Sequence, residues 1–411
     1  MQKTPKSMRI HIGLFGRRNV GKSSLLNAIT RQQVAIVSEV AGTTTDPVEK
    51  PMELLPLGPV LFIDTAGLDD EGALGDLRTR KTRQVFDRTD LGVLVTEAGT
   101  WTSFEELVVQ ELQSRKVPGV IVVNKCDLSP GNSNSLSASL PPGIPVVRVS
   151  ALTGEGLGAL RRALLDQAPA ELIDNPAIAG DLVGAGELAV LVVPIDKEAP
   201  KGRLILPQVQ TIRDLLDSDA YCMMVKDREL RKALQQLRNP PRLVITDSQA
   251  FREVAAVVPP GIPLTSFSIL FARFKGDLIT QVRGAMAVEE LRNGDQVLVA
   301  EACSHHPIGE DIGRIKIPQW LTRHVGSRLK FRHVQGHDFP EDLSPYRLVI
   351  HCGACMWNRR EMLGRILRCR QAGVPITNYG VVIAYSLGIL ERALEPFPAA
   401  LETYRDLKEP R

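Results

Sequence analysis

The fold of this chain is decided first by Gly16-Arg-Arg-Asn-Val-Gly21-Lys22-Ser23, which fits the pattern Gly-x-x-x-x-Gly-Lys-Ser/Thr. The residues before it, Arg9–Phe15, predict a strand, and Ser23–Thr30 predict a helix. Glycines in such a turn let backbone N–H groups surround phosphate oxygens, and the positive end of the helix adds to the attraction. We therefore predict a phosphate-binding loop in which Lys22 reaches the β and γ phosphates and Ser23 ligates Mg²⁺.

Two companion motifs supply the predicted magnesium and γ-phosphate contacts. In Asp64-Thr-Ala-Gly67, Asp64 can hold Mg²⁺ through water, and the Gly67 N–H can contact the γ-phosphate. Thr44, within Gly42-Thr-Thr-Thr-Asp46, stands where a switch threonine completes the magnesium shell, with Thr43 as the competing assignment. The residues predicted to act in hydrolysis are Lys22, Thr44, Asp64 and Gly67.

Two further motifs predict that the base is guanine. In Asn124-Lys125-Cys126-Asp127, the Asp127 carboxylate can accept hydrogen bonds from the N1–H and 2-amino groups of guanine, which adenine does not offer. Asn124 and Lys125 hold the loop and cover the base, and Ser150-Ala-Leu152 can contact the guanine carbonyl. The competing interpretation, a glycine turn that merely starts a helix, explains none of these companions. The full predicted nucleotide set is Gly16, Asn19, Gly21, Lys22, Ser23, Ser24, Thr44, Asp64, Gly67, Asn124, Lys125, Asp127, Ser150 and Ala151.

A second candidate site lies near the end of the chain, where cysteines follow two predicted strands. Cys303-Ser-His305 comes directly after the strand pattern Gln296–Ala302, and His351-Cys352-Gly-Ala-Cys355 follows Arg347–Ile350. Ligands collect at the carboxyl ends of parallel strands, so we expect Cys303, Cys352 and Cys355 to converge. The helix pattern Trp357–Arg370 begins just after Cys355, and a helix N-terminus favours the thiolate form.

Three thiolates suit two different metal sites. With His305 or His351 they make a tetrahedral Cys₃His zinc site, for which these spacings are ordinary. Alternatively they hold three irons of a 4Fe–4S cluster and leave the fourth iron to a weaker ligand. The spacing alone leaves zinc, a 4Fe–4S cluster and no metal all open.

The hydrophobic pattern along the 411 residues predicts an α/β protein of three successive α/β units. Near-continuous Val/Ile/Leu runs separated by helical patterns are typical of parallel sheets covered on both faces. We predict a P-loop domain with a mainly parallel sheet over residues 1–170, followed by two smaller parallel-sheet domains over 171–263 and 264–411. An Ala/Gly/Pro-rich linker spans 166–186, and the third unit opens with one long helix, Ile269–Ala285.

Composition excludes several classes of protein. The chain is 44% hydrophobic and 24% charged, as in soluble globular proteins, and its net charge of +3 gives no argument for nucleic-acid binding. No apolar run is long enough to span a membrane, and the first residues carry no apolar signal core. Six cysteines in a chain of this size do not make a disulfide scaffold, so we expect a reducing, cytoplasmic location.

The nucleotide motifs resemble those of the translation-factor-like GTPases, and most of all the tRNA-modifying and ribosome-assembly branch with Gly-Thr-Thr after the P-loop. Leu68 follows Gly67, so the glutamine that positions water in Ras-type enzymes is missing and slow hydrolysis is expected. Asn19 occupies the position at which potassium-dependent members of this branch hold K⁺. The resemblance thus implies that K⁺ replaces an arginine finger, while a simple loop hydrogen bond is the alternative role for Asn19.

The cysteine motifs resemble those of HydF, the maturation GTPases of iron-only hydrogenases. The likeness rests on Ala302-Cys-Ser-His-His-Pro307, Glu310-Asp-Ile-Gly-Arg314 and His351-Cys-Gly-Ala-Cys-Met356, joined to a GTPase domain. It implies a GTPase domain, a homodimerisation domain and a domain with a 4Fe–4S cluster rather than zinc. It also implies a scaffold on which two radical-SAM maturases build the di-iron precursor of the H-cluster, which then passes to apo-hydrogenase.

In that reading Cys303, Cys352 and Cys355 anchor the 4Fe–4S cluster, and the fourth iron carries an exchangeable ligand. The possible ligands are His305, His351, Glu310 and Asp311, of which we favour Glu310 because a monodentate carboxylate is easier to displace than thiolate. His305 and His351 then act as hydrogen-bond donors behind the ligands. The alternative function is a ribosome- or tRNA-directed GTPase with a C-terminal zinc module.

Overall fold

The structure is a computed structural model of the whole chain, and it divides into two compact units, residues 1–175 and 176–411. It describes residues 4–30, 47–55, 57–65, 82–128, 141–169, 177–195, 204–302 and 311–408. No helix within these ranges combines the length and the apolar character needed to cross a membrane. The two units are described separately.

The first unit is built on a six-stranded sheet with the strand order β2-β3-β1-β4-β5-β6. The strands are β1 (Ile10–Phe15), β2 (Val48–Leu54), β3 (Gly58–Asp64), β4 (Leu91–Glu97), β5 (Gly119–Asn124) and β6 (Val146–Arg148). The helices are α1 (Lys22–Thr30), α2 (Ser103–Ser114) and α3 (Leu157–Gln167), and residues 82–88 are also helical. All strand pairs are parallel except β2 with β3, which confirms the predicted mainly parallel P-loop fold.

Burial explains which strands the sequence predicted. In β1 every residue is buried, and β4 and β5 are buried except at one end, as expected for strands covered on both faces. The edge strand β2 was not predicted, because Val48-Glu-Lys-Pro-Met-Glu-Leu54 has few consecutive apolar residues and is only half-buried. A proline inside it is tolerated because β2 lies at the edge of the sheet.

The second unit contains two four-stranded sheets, with the strand orders β10-β9-β7-β8 and β12-β11-β13-β14. Every strand pair in both sheets is parallel, as predicted. Their strands are β7 (Leu188–Val192), β8 (Tyr221–Val225), β9 (Leu243–Thr246), β10 (Leu264–Ser266), β11 (Gln296–Glu301), β12 (Lys330–Gln335), β13 (Leu348–His351) and β14 (Ile376–Asn378). The helices are α4 (Gly180–Val183), α5 (Leu206–Asp217), α6 (Leu230–Gln236), α7 (Phe251–Ala255), α8 (Phe267–Lys275), α9 (Leu278–Met286), α10 (Ile317–Val325), α11 (Arg359–Gln371), α12 (Tyr379–Ser386), α13 (Leu390–Ala393) and α14 (Pro398–Lys408).

The second unit differs from the prediction in several places, and strand β12, for example, was not predicted. The single helix predicted over Ile269–Ala285 is two helices, α8 and α9, because Asp277 caps the second one: its carboxylate accepts a hydrogen bond from the Thr280 N–H at 3.1 Å. The third unit was predicted to begin at residue 264, but strand β10 there was not predicted, and it pairs with β9 and completes the earlier sheet. The division into three domains at residues 170 and 263 otherwise stays a prediction.

Candidate functional site

The phosphate-binding loop joins β1 to α1, at the carboxyl end of the first sheet. Gly21 has a φ of +89°, and a Cβ there would lie 2.3 Å from the Asn124 Nδ2 atom, so the loop needs glycine for both conformation and space. The Lys22 ammonium group is buried and donates hydrogen bonds to the carbonyl oxygens of Gly16 (2.8 Å) and Arg17 (2.7 Å). These carbonyls hold the cation at the mouth of the loop, where phosphates would bind.

The predicted magnesium ligands Ser23 and Asp64 lie together. The Ser23 hydroxyl donates to the Asp64 Oδ2 atom at 2.6 Å, while the buried Asp64 Oδ1 atom has no hydrogen-bond partner among the described residues. Burial raises the pKa of Asp64, and the Ser23 hydrogen bond and the Lys22 charge act against that rise. An unsatisfied carboxylate oxygen beside a hydroxyl suits a hard cation such as Mg²⁺, so the residues fit the ion. Thr44 and Gly67, the other predicted contacts, lie outside the described residues.

Asn124 connects three of the predicted motifs through its buried amide. Its Nδ2 group donates to the Val20 carbonyl oxygen in the phosphate loop at 2.9 Å, and its Oδ1 atom accepts from the Ala151 N–H at 3.1 Å. In turn, the buried Ser150 hydroxyl accepts a hydrogen bond from the Thr153 N–H. The phosphate loop and the two base-binding loops are therefore held by one side chain.

The remaining nucleotide residues stand on the same edge of the sheet. Asp127 is half-buried in a single 3-10 turn, Cys126–Leu128, directly after β5. Lys125 has a φ of +58° and forms an ion pair with Glu97 at 2.5 Å. Asn19 has a φ of +61° and is exposed in the phosphate loop, so its side chain is open to an ion. Their roles toward guanine and K⁺ stay predictions.

An ion pair that was not predicted from the sequence anchors the phosphate loop. Arg17 donates to the fully buried Glu105 carboxylate, with the Nε–Oε1 distance at 3.0 Å, and also to the Thr102 hydroxyl. Glu105 and Thr102 form the capping box of α2. The pattern Thr102-Ser-Phe-Glu105 signals a helix start, but its contact with a loop 88 residues away is not readable from spacing.

The cysteine-bearing edge of the last sheet is formed by β11 and β13. The two strands are neighbours, and Ala300 is paired with His351. At their ends the Ala302 N–H donates to the Cys352 Sγ atom at 3.1 Å, so the residue before Cys303 contacts Cys352. Cys303, His305 and Glu310 lie outside the described residues. Within the described ranges, no group of three His, Cys, Asp or Glu residues that could hold a metal is found.

Cys352 and Cys355 lie in a segment we call the cysteine loop, residues 351–357. Helix α11 begins at Arg359 with Asn358 as its N-cap, and the Asn358 side chain accepts from the Glu361 N–H. The prediction that the helix starts at Trp357 was therefore wrong by two residues. Cys355 is four residues before the first helical residue, and it does not occupy the capping position at which the helix dipole acts most strongly.

His351 is completely buried, and both of its ring nitrogens have partners. The Arg365 guanidinium can only donate, so its contact with Nε2 at 3.0 Å makes Nε2 the acceptor and leaves the proton on Nδ1. Nδ1 then donates to the Cys352 carbonyl oxygen at 2.8 Å. Burial lowers the pKa of His351 to about 3, so the ring is neutral. In this arrangement His351 supports the cysteine loop and does not point a lone pair at a metal.

Asp311, the only proposed fourth ligand besides His351 within the described residues, is also buried. Its Oδ1 atom accepts from the N–H groups of Gly313 (2.7 Å) and Arg314 (3.0 Å), while Oδ2 lies 3.9 Å from the Arg314 Nε atom and makes no hydrogen bond among the described residues. Burial raises the pKa of Tyr379, and the charges of the nearby Glu301, Cys352 and Asp311 raise it further. A thiol that accepts an N–H hydrogen bond and an unsatisfied carboxylate oxygen are donor atoms that fit an iron–sulfur cluster.

Three family models match this chain, one in the first unit and two in the second. Residues 178–276 match the family model described as the hydrogen maturase F dimerization domain, and 279–396 match the hydrogen maturase F tetramerization domain. Residues 11–125 match a model described as a 50S ribosome-binding GTPase.

The tRNA modification GTPases named MnmE match this chain in its GTPase region. The tRNA modification GTPase MnmE of Chromobacterium violaceum is 37% identical over 158 residues, which is 38% of this chain and 34% of that protein. GTPase Der of Campylobacter concisus is 34% identical over 161 residues, covering 36% of this chain and 34% of that protein. The chain thus spans about a third of the length of these relatives.

Among solved structures, Era of Aquifex aeolicus is 26% identical with a TM-score of 0.35, covering 39% of this chain and 56% of that one. The G domain of the T. maritima FeoB iron transporter is 26% identical with a TM-score of 0.31, covering 39% and 99%. The family assignment rests instead on the two hydrogen maturase F models, which together cover more than half of the 411 residues. The chain therefore belongs to the hydrogen maturase F (HydF) family of hydrogenase maturation GTPases.

Proposed function

We propose that this protein is a GTP-hydrolysing scaffold that binds a 4Fe–4S cluster, carries the di-iron precursor of the hydrogenase H-cluster and delivers it to apo-hydrogenase. The observation that carries the proposal is the meeting of β11 and β13 at the cysteine edge, where the Ala302 N–H contacts the Cys352 Sγ atom. Because Cys303 follows Ala302 in the sequence, this contact supports a shared site for two of the three predicted thiolates. The third, Cys355, is in the same loop as Cys352.

The 4Fe–4S cluster would be held by Cys303, Cys352 and Cys355, and it would supply an iron with an exchangeable coordination position. We propose Glu310 as the fourth ligand. Asp311 is the competing ligand, because its buried Oδ2 atom makes no hydrogen bond among the described residues. If Glu310→Ala leaves the EPR spectrum and its response to imidazole unchanged while Asp311→Ala alters both, the assignment moves to Asp311.

The GTPase site would act as a slow switch. Ser23 and Asp64 would hold Mg²⁺, Lys22 would neutralise phosphate charge, and exposed Asn19 would bind a K⁺ ion that stimulates hydrolysis. Thr44 and Gly67 would sense the γ-phosphate. We propose that the nucleotide state times the binding and release of partners rather than driving chemistry at the 4Fe–4S cluster.

The partners proposed are two radical-SAM maturases, the apo-hydrogenase and a second copy of this chain, in the cytoplasm. The two matched models are named for dimerisation and tetramerisation, which supports self-association. Strand β8 is an edge strand with Tyr221 and Met224 exposed, and it follows that its backbone could pair with another strand. We propose that the homodimer forms through β8.

The runner-up function is a ribosome- or tRNA-directed GTPase with a C-terminal zinc module. The identity to the tRNA modification GTPase MnmE favours it for the first unit alone. The hydrogen maturase F models match residues 178–276 and 279–396, which include all strands of the last sheet. We therefore prefer the maturation scaffold.

The proposal is tested by measuring delivery of the di-iron precursor to apo-hydrogenase. The protein is purified anaerobically after co-expression with the two maturases and mixed with apo-hydrogenase, and hydrogen evolution is measured. We expect activation by the wild type and none by Cys352→Ser, which keeps the size of the side chain but weakens its bond to iron. Equal activation by Cys352→Ser would refute the scaffold role, and normal folding of the variant is checked by its melting temperature.

A further inference from the structure

Arg365 is a buried cation beside the cysteine loop. It lies on α11 with only 5% of its surface exposed, and its guanidinium carbon is 4.0 Å from the centre of the Trp357 ring and 4.5 Å from that of Phe339. Two aromatic faces attract the charge and fix the plane of the group. The side chain is therefore rigid, and its two terminal nitrogens point in fixed directions.

Those nitrogens connect two segments at the cysteine edge. One donates to His351 Nε2 at 3.0 Å, and the other donates to the Gly336 carbonyl oxygen at 2.6 Å, just after β12. The Nδ1–H group of His351 in turn donates a hydrogen bond to the Cys352 carbonyl oxygen. A continuous path of hydrogen bonds thus runs from Arg365 to the backbone of the cysteine loop.

Arg365 makes no direct ion pair with a carboxylate within the part of the chain that the structure describes, although the charge of the nearby Glu361 acts on it. Glu361, one turn earlier on α11, directs its carboxylate to His337 Nδ1 at 2.7 Å. Burial lowers the pKa of Arg365 to about 10, against the opposing effect of the Glu361 and Cys352 charges, so the group stays protonated at neutral pH. A buried charge that makes no direct ion pair is costly, and a further anion close to it would stabilise it.

We propose that Arg365 is the positioning residue and counter-charge of the cysteine site: through His351 it holds the cysteine loop, and its charge favours an anionic group at the sulfurs. This inference rests on the proposed function, since the anionic group is the thiolate-bound 4Fe–4S cluster. Adding an electron makes that group more negative, and a fixed positive charge stabilises the reduced form. Arg365 therefore raises the reduction potential of the cluster.

The test compares three variants of the full-length protein reconstituted anaerobically with iron and sulfide. Arg365→Met removes the charge and keeps a long apolar side chain against Trp357. Arg365→Lys keeps the charge but lacks the planar fork that reaches His351 and Gly336 together. The matched control is Arg368→Met: Arg368 is on the same helix and over the same Phe339 ring at 5.1 Å, but it donates to Pro340 and not to His351.

Reduction potentials are measured by titration followed by EPR, and melting temperatures report folding. We expect a more negative potential for Arg365→Met, an intermediate one for Arg365→Lys and no shift for Arg368→Met. An unchanged potential for Arg365→Met, or an equal shift for Arg368→Met, overturns the counter-charge. If Arg365→Met does not fold, the reduction potential of Arg365→Lys is the test instead. A potential of Arg365→Lys equal to that of the wild type overturns the requirement for the planar guanidinium group.

A second measurement does not need the cluster. Hydrogen–deuterium exchange of a peptide covering residues 351–357 in the metal-free protein should be several-fold faster in Arg365→Met than in the wild type and unchanged in Arg368→Met. Equal exchange in all three proteins overturns the positioning role. A wild type that binds no iron or sulfide refutes the proposed function, while the exchange experiment still decides whether Arg365 holds the loop.

Discussion

Replacing Asn124 by alanine should weaken nucleotide binding about tenfold. Asn124 is 2% exposed, and its amide makes one hydrogen bond to the phosphate loop at Val20 and accepts one from Ala151 in a base-binding loop. Alanine satisfies neither group, and the Val20 carbonyl and the Ala151 N–H lose their partner. The two loops then have to be ordered by the nucleotide itself.

The magnitude follows from the two bonds. Each buried group that loses its partner costs about 1–3 kcal/mol, so the two unpaired groups should cost the unliganded first unit about 2–6 kcal/mol of stability. Part of this cost falls on binding, because GDP must restore the arrangement of the loops. If about 1.4 kcal/mol appears in binding, the Kd for GDP rises about tenfold.

The assay is fluorescence titration with a labelled GDP, together with thermal unfolding. The matched control is Thr89→Val, which removes the buried hydrogen bond from the Thr89 hydroxyl to the Val85 carbonyl at 2.7 Å, just before the amino end of β4. Both variants should melt earlier, but only Asn124→Ala should bind GDP more weakly. A Kd for Asn124→Ala within twofold of the wild type would refute the claim that this residue organises the nucleotide loops.

Two further predictions concern the second unit. Asp277→Ala removes the N-cap of α9, so it should lower the free energy of unfolding by about 1 kcal/mol and the melting temperature by about 2–4 °C. Asp277→Asn can still cap the helix and should lower both by less. Equal losses in the two variants would argue against capping as the cause of the helix break. Burial raises the pKa of Cys369 to about 12, so at pH 8 only about one thiol in ten thousand is ionised. Iodoacetamide should therefore leave Cys369 unmodified in the native protein and modify it in urea, as measured by mass spectrometry of the digested protein. Rapid labelling of the native protein would contradict the burial of Cys369.

Local patterns in the sequence predicted most of the sheets. Strands such as β1, β4 and β5 are nearly continuous apolar runs that are buried on both faces, so composition and length were enough to find them. The half-buried β2 was missed because an edge strand carries a weaker apolar signal. The break at Gly276-Asp277 was missed because the apolar spacing continues across it, and only the cap reveals it.

The candidate sites were predictable where a motif carries its own chemistry. The Ser23–Asp64 contact and the meeting of the two cysteine strands follow from placing motifs at the carboxyl ends of neighbouring parallel strands. The Arg17–Glu105 pair could not be foreseen, because 88 residues separate its members. Arg365 is only 14 residues from His351, yet helical spacing alone does not say which arginine of α11 turns inward.

Metal and sulfide analysis of the protein prepared without air shows whether Cys303, Cys352 and Cys355 hold a 4Fe–4S cluster. We expect about four iron and four sulfide per chain and an EPR signal on reduction, and we expect Cys352→Ser to lose the metal, the sulfide and the signal. Zinc at about one equivalent per chain with no sulfide would contradict this expectation.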